Sequence, residues 1–303
     1  MGNIIYPPSR PQSVGEVLDS AFRIYSTTLL KCLPYSFASV IVGQLLSLYD
    51  ILHRPAATAA ALPAAAVHPA HGLSWGLLAL LVTVASMMFA NAVFLRQYAL
   101  STGRAASMPE ELSRSLRRVP GVLLMGILIA LALLATMIPV GLVLAATGAF
   151  AAITHTAGLS GSQIWSMLAV VLVVATAASW IVIKWVCAMP VYLLTDRGPI
   201  DSMSHSWRLT AGNFWRLSII YAVGVILLIV FYLLASIVGG MVALWLGRGD
   251  VVLWVAVSTA VVALLAALFT PFYHALVLAV FGDLSVRREG ADLALRISAT
   301  AIQ

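Results

Sequence analysis

Six long apolar stretches decide what this chain can fold into. They cover residues 33–52, 73–95, 119–147, 163–194, 214–246 and 251–281. A helix needs about 20 mostly apolar residues to cross the hydrocarbon core of a bilayer, and each stretch reaches that length. Each is continuously apolar, whereas strands of a membrane barrel alternate apolar and polar residues over about ten positions. The sequence therefore predicts an all-α integral membrane protein with six transmembrane helices.

Charged residues are too scarce to cover a soluble domain. They make up 9% of the chain, whereas a soluble domain carries roughly a quarter. Residues 1–28 are polar or amphipathic and do not resemble a cleavable signal peptide. The two cysteines, Cys32 and Cys187, lie near predicted membrane edges, so we expect no structural disulfide.

The distribution of positive charge predicts the topology. All but two of the seventeen Lys and Arg residues lie in the N-terminal segment, at 96–118, at 184–216 or in the tail. Arg54 and Arg248 are the exceptions. By the positive-inside rule, both termini and a short tail at 283–303 face the cytoplasm of a bacterial inner membrane. The net charge of +6 then faces anionic lipid headgroups, and no fold signature of nucleic-acid binding is present.

Three short segments align without gaps and indicate an internal repeat. They are SVGEVLDSAFR (13–23), SMPEELSRSLR (107–117) and GPIDSMSHSWR (198–208), which we call the first, second and third aligned segments. The matching acids are Glu16, Glu110 and Asp201, and the matching arginines are Arg23, Arg117 and Arg208. The pattern predicts one membrane domain over 1–303 with three parallel repeat units at about 13–104, 107–197 and 198–290. Each unit would be an interfacial amphipathic helix followed by a transmembrane hairpin.

Local sequence signals support a helix in each aligned segment. Ser13 with Glu16, and Ser107 with Glu110, match the capping box, while Pro199 suits a first helical turn. The acid and the arginine sit at the helix ends that the dipole favours for each charge. Trp207 and Trp215 belong at the membrane interface, with Asn213 in the turn between them. We favour a structural role for Asp201 and Arg208 over a catalytic one.

Polar side chains inside the apolar stretches are candidates for a functional site, because burying them in lipid is costly. The strongest are Asn91, Lys184 and His274. Gln44 and Thr270 are weaker. Two interpretations remain open: a shared polar cavity, and separate helix-packing hydrogen bonds with Lys184 snorkelling to the interface.

Prolines and small residues predict local features of the helices. Pro34, Pro139, Pro190 and Pro271 predict kinks, and Pro271 would free a carbonyl for His274 or Tyr273. Two small-residue pairs predict close helix contacts. These pairs are Ser39 with Gly43 and Ser236 with Gly240.

Signatures of catalysis and of metal or cofactor binding are missing from the sequence. There is no phosphate-binding loop, nucleophile elbow, zinc-protease motif or dinucleotide fingerprint. The Ala- and Pro-rich loop at 53–72 holds His53, His68 and His71, but nothing fixes them in ligand geometry. We therefore expect no catalytic residue, no cofactor and no metal.

Three motifs together resemble a known membrane family. They are GEVLDSAFRIY near the start, SWRLTAGNFWRL before the fifth span and FGDLSVRREGADL after the sixth. They are similar to the glycerophosphoryl diester phosphodiesterase membrane-domain family, which is YciC-like. The resemblance implies a six-helix bundle with interfacial helices. The roughly twenty residues after Gly282 leave no room for the phosphodiesterase barrel, so hydrolysis is not expected.

Three functions are compatible with these features. The first is a non-enzymatic module that handles lipid, preferring anionic headgroups, or that assists a protein partner or a second copy of itself. The second is a transporter or channel for a small or amphiphilic solute. The third, an intramembrane lipid phosphodiesterase, rests on the family resemblance alone.

Overall fold

The computed structural model describes residues 5–53, 73–105, 107–146, 161–247 and 251–290. Several predictions fall outside these ranges. They concern the loop after His53 with His68 and His71, the two outer arginines Arg54 and Arg248, and the tail beyond residue 290.

All regular structure in the described ranges is α-helical. The helices are α1 (Val14–His53), α2 (Leu73–Ser101), α3 (Met108–Ala146), α4 (Gly161–Trp185), α5 (Ala188–Leu194), α6 (Pro199–Leu209), α7 (Phe214–Gly247) and α8 (Val251–Glu289).

Six helical segments are long and apolar enough to cross a membrane. They are Val14–Leu46, Trp75–Ser101, Met108–Pro139, Leu168–Leu194, Phe214–Leu246 and Leu253–Glu289. The prediction of an all-α, multi-pass membrane protein with six spans is confirmed.

The fourth span differs from the single helix that its apolar run predicts. It breaks at Val186 and Cys187 into α4 and α5. Pro190 lacks the N–H that would bond to the carbonyl of Val186, and its ring crowds that carbonyl. The kink predicted at Pro190 is therefore a complete break one turn earlier.

The three aligned segments begin helices at the same position. Helices α1, α3 and α6 start at Val14, Met108 and Pro199, each the second residue of its segment. Only the third segment forms a separate short helix, because α6 ends at Leu209 before a turn. The first two helices continue without a break into the membrane span, so a separate interfacial helix was the wrong prediction for them.

Burial also follows the alignment. The fifth position is buried in all three segments, and so is the ninth, whereas the tenth and eleventh are exposed. The fifth position holds Val17, Glu111 and Ser202. The ninth holds Ala21, Ser115 and Ser206. A helix that buries one face on a neighbour gives this spacing of four residues.

The described residues fall into two compact units. Unit 1 comprises residues up to Val119 together with those from Ile220 onward, and unit 2 comprises Pro120–Ile219. In unit 1, α1 packs against both α2 and α8, and α2 also contacts α8. In unit 2, α6 packs against α5 and α4.

Polar contacts between α1 and α8 explain how Pro271 is accommodated. Proline removes the bond to the carbonyl four residues earlier, which is that of Ala267. The Ser36 hydroxyl donates to this carbonyl, and the Tyr25 hydroxyl donates to the carbonyl of Leu268 at 3.1 Å. The expectation that His274 or Tyr273 would engage the freed carbonyl was therefore wrong.

The C-terminal end of the last helix also differs from the sequence prediction. Helix α8 continues to Glu289, so residues 283–289 belong to it rather than to a tail. Asp283 is only 1% exposed. It accepts hydrogen bonds from the backbone N–H of Gln12 at 2.7 Å and from Arg287.

Candidate functional site

A cleft of about 630 Å³ lies between α1, α7 and α8 in unit 1. Five polar residues line it: Gln44, Ser236, Ser258, Thr259 and Thr270. Gly43 and Gly240 keep its walls low, since neither has a side chain. The structure thus brings the two weaker candidates, Gln44 and Thr270, to one cavity.

Most hydroxyls in the cleft are already bonded to their own helix. Ser258 donates to the carbonyl of Val255, and Thr270 donates to that of Ala266, each at 3.0 Å. In the part of the chain that the structure describes, the half-buried amide of Gln44 makes no hydrogen bond. Gln44 is therefore the polar group in this cleft with bonding capacity to offer a ligand.

The two small-residue pairs have different surroundings. Ser39 donates to the carbonyl of Ser86 at 3.1 Å, and a Cβ on Gly43 would lie 3.8 Å from the Ser86 hydroxyl. This pair therefore brings α1 close to α2, as predicted. Ser236 and Gly240 instead line the cleft.

Asn91 and His274 are both buried in unit 1. His274 meets the ring of Phe94 edge-on, with centroids 6.2 Å apart. Among the described residues, Asn91 Nδ2 and His274 Nε2 have no hydrogen-bond partner. Gln97, which sequence reasoning missed, is fully buried between them and the helix end and donates to the carbonyl of Pro271 at 2.7 Å.

A buried ion pair joins α1, α2 and the start of α3. Glu111, 4% exposed, accepts a hydrogen bond from Tyr35 at 2.9 Å and pairs with Arg96 at 3.1 Å. Sequence reasoning missed it because the neighbouring Glu110 aligns with the other acids. The available signal was the position of Glu111, which aligns with Val17 on the buried face.

Lys184 lies in unit 2, one turn before the break between α4 and α5. Its Nζ lies 5.3 Å from the ring centre of Trp207 and 5.8 Å from that of Trp180. The two indoles are perpendicular to each other, with centroids 4.9 Å apart. Trp185 also contacts Trp207.

The break beside Lys184 is closed by Ser206 of α6. Its hydroxyl accepts from the backbone N–H of Cys187 at 3.2 Å and donates to the carbonyl of Lys184 at 2.8 Å. One side chain therefore satisfies two backbone groups that the break would leave open. This fixes α6, and with it Trp207, against Lys184.

The interfacial set is mostly exposed. Glu16 forms the predicted capping box, since it accepts from the N–H of Ser13 at 2.6 Å while the Ser13 hydroxyl accepts from the N–H of Glu16. The described residues show no such side-chain bond for Ser107 and Glu110. Asp201 pairs with Arg197 at 3.4 Å.

The other members of this set have simpler surroundings. Arg23, Arg117 and Arg208 are exposed, and so is Trp215. Asn213 donates to the carbonyl of Ala211 within the turn that precedes α7.

The segment before α1 docks on the motif that follows the sixth span. The backbone N–H groups of Ile5 and Tyr6 donate to the carbonyl of Ser101, and Tyr6 packs edge-on against Tyr98. A Cβ on Gly282 would lie 2.6 Å from the Tyr6 ring. The glycine and aspartate of FGDL therefore have a structural role, which is to hold the N-terminal segment.

The predicted intramembrane site divides between the units. Asn91 and His274 belong to unit 1, whereas Lys184 belongs to unit 2. A site shared by all three stays a prediction. The described residues contain no group of three His, Cys, Asp or Glu side chains in metal-binding geometry.

A family model described as the membrane domain of glycerophosphoryl diester phosphodiesterase matches residues 73–292. The match covers well over half of the chain, and the chain belongs to this family. No curated protein and no solved structure matches the chain.

Proposed function

We propose that this member of the phosphodiesterase membrane-domain family is a non-enzymatic protein that binds a phospholipid, with one acyl chain in the cleft between α1, α7 and α8. The cleft carries the proposal. Its lining on α8 runs from Trp254 to Thr270, a helix length of roughly 24 Å. That is most of the roughly 30 Å hydrocarbon thickness, so the cleft suits an extended acyl chain.

The chemistry of the lining supports the same ligand. Small residues leave room for a chain, and hydroxyls bonded to their own helix present little polarity to it. The Gln44 amide is the group that would bond to an ester or glycerol oxygen of the lipid.

The non-enzymatic part of the proposal is supported by the state of the acids. Glu16, Glu111, Asp201 and Asp283 each pair with an arginine, which is the arrangement of structural rather than catalytic carboxylates. Hydrolysis of a lipid phosphodiester by the purified protein would contradict it.

The repeat and the topology belong to the proposal as well. Equal helix starts and equal burial in the three aligned segments support three related units. The charge distribution supports an inner-membrane protein with both termini in the cytoplasm, facing anionic headgroups. A three-fold arrangement of Arg23, Arg117 and Arg208 remains a prediction.

Native mass spectrometry of protein extracted gently from its own membrane tests the cleft. In Gly240→Leu the new side chain projects into the cleft, because a Cβ at Gly240 meets nothing within 4 Å. The matched control is Gly126→Leu, which is also helical, exposed and unobstructed but does not line the cleft. We expect a retained phospholipid on the wild type and on Gly126→Leu, and its loss from Gly240→Leu.

Equal retention by both variants would contradict the cleft assignment. A co-retained polypeptide or second copy, with no lipid, would replace it with the accessory-subunit alternative.

A further inference from the structure

Lys184 is a buried cation that lacks an acidic partner. It is 9% exposed. Within the described residues, no carboxylate lies within 4.0 Å of its Nζ, and Nζ donates no hydrogen bond. Its contacts there are the two indole rings of Trp180 and Trp207.

Two indoles do not replace a hydrogen-bond acceptor. The ring faces attract the ammonium, but this attraction offsets only part of the cost of removing a charge from water. An ammonium also has three N–H donors and no acceptor of its own. The arrangement therefore holds a cation in place and leaves its donors to an external anion.

The surroundings indicate where that anion lies. Trp180 and Trp207 are 42% and 37% exposed, and tryptophan concentrates at the headgroup level of a bilayer. Helix α4 ends at Trp185, next to Lys184, as expected for a span that reaches the interface. Phosphate oxygens are the commonest acceptors at this depth, and lysine binds phosphate as a point charge.

We infer that Lys184, held by Trp180 and Trp207, forms a binding site for the phosphate of an acidic phospholipid. The site prefers a lipid with net negative charge, because no carboxylate of the described chain lies next to Nζ to bind the cationic group of a zwitterionic lipid. The Ser206 bridge across the helix break positions Trp207 and so shapes the site. This site shares a ligand class with the proposed cleft, but its residues are different and either can fail alone.

The full-length protein in nanodiscs of equal parts phosphatidylglycerol and phosphatidylcholine provides the test. The variant is Lys184→Met, which keeps the length of the side chain and removes the charge. The other lysine of the chain, exposed Lys31, supplies the matched control Lys31→Met. Native mass spectrometry counts the phosphatidylglycerol molecules that remain bound after release, and circular dichroism reports folding.

We expect about tenfold weaker retention of phosphatidylglycerol by Lys184→Met, the usual effect of losing a charge-assisted hydrogen bond. Lys31→Met should retain as much as the wild type. Trp207→Leu should also weaken retention, because the ammonium loses its support. Gly240→Leu, which tests the cleft, should leave phosphatidylglycerol at Lys184 unaffected.

Three results would overturn the inference. The first is equal retention by the two lysine variants. The second is equal retention of phosphatidylcholine and phosphatidylglycerol by the wild type. The third is displacement of the lipid by millimolar inorganic phosphate, which would make the ligand a free phosphate. Should Lys184→Met not fold, Lys184→Gln and Trp207→Leu supply the same comparison.

Discussion

The second and third aligned segments both have a glycine four residues after their arginine, and the two glycines do different work. Gly121 lies inside α3, where the helix runs on. A Cβ there would lie 2.1 Å from the Tyr192 hydroxyl. Gly212 lies in the turn between α6 and α7 and has a φ of 74°. The same residue at the same place permits close packing in one segment and a left-handed turn in the other.

The buried serines of these two segments behave alike, by contrast. Ser115 donates to the carbonyl of Met88, and Ser206 donates to the carbonyl of Lys184. In both cases the acceptor lies on the preceding membrane helix. The buried face is thus preserved between the segments, while the exit from the segment has changed.

The strongest way to test this comparison is to give the second segment the third segment's residue at its fifth position. Glu111→Ser removes the partner of buried Arg96 and Tyr35. We expect a loss of about 3–5 kcal/mol in the free energy of unfolding, typical of breaking a buried ion pair from one side. Reversible unfolding in mixed detergent measures this loss.

Glu110→Ser is the matched control, since Glu110 is an exposed neighbour in the first turn. It should cost no more than about 0.5 kcal/mol. Similar losses for the two variants would mean that Glu111 and Arg96 contribute no more than a surface pair.

A smaller effect is expected from Gly121→Ala, which tests the close-packing role. The added methyl overlaps Tyr192 and approaches Pro199 to 2.9 Å, so α3 must shift within unit 2. Overpacking of this kind costs about 1–3 kcal/mol. Thermal unfolding should show a lower midpoint.

Gly126→Ala, five residues later in the same helix, meets no atom within 4 Å. It should stabilise by up to about 1 kcal/mol through helix propensity. Stabilisation by both substitutions would show that α3 and Tyr192 are not in close contact.

The contrast between the glycines also shows how far the sequence could be read. Six spans and the helix starts at Val14, Met108 and Pro199 followed from apolar length and capping residues, which are local signals. The break at Val186 was visible only as a proline kink, because its repair by Ser206 depends on a residue nineteen positions away. Glu111, Gln97 and the Lys184 box depend on packing between helices, which one sequence does not record.

Gly212→Ala should give the smallest effect and bears directly on the turn. An L-residue at a φ of 74° costs about 1–2 kcal/mol more than glycine. Gly212→Asn should cost less, because asparagine tolerates the left-handed region. The control Gly15→Ala lies in the first turn of α1 with open space around it and should be neutral or slightly stabilising. If alanine and asparagine cost the same at Gly212, the turn does not depend on its backbone conformation. The third segment would then differ from the second only in length of helix, and the glycine would have no separate role there.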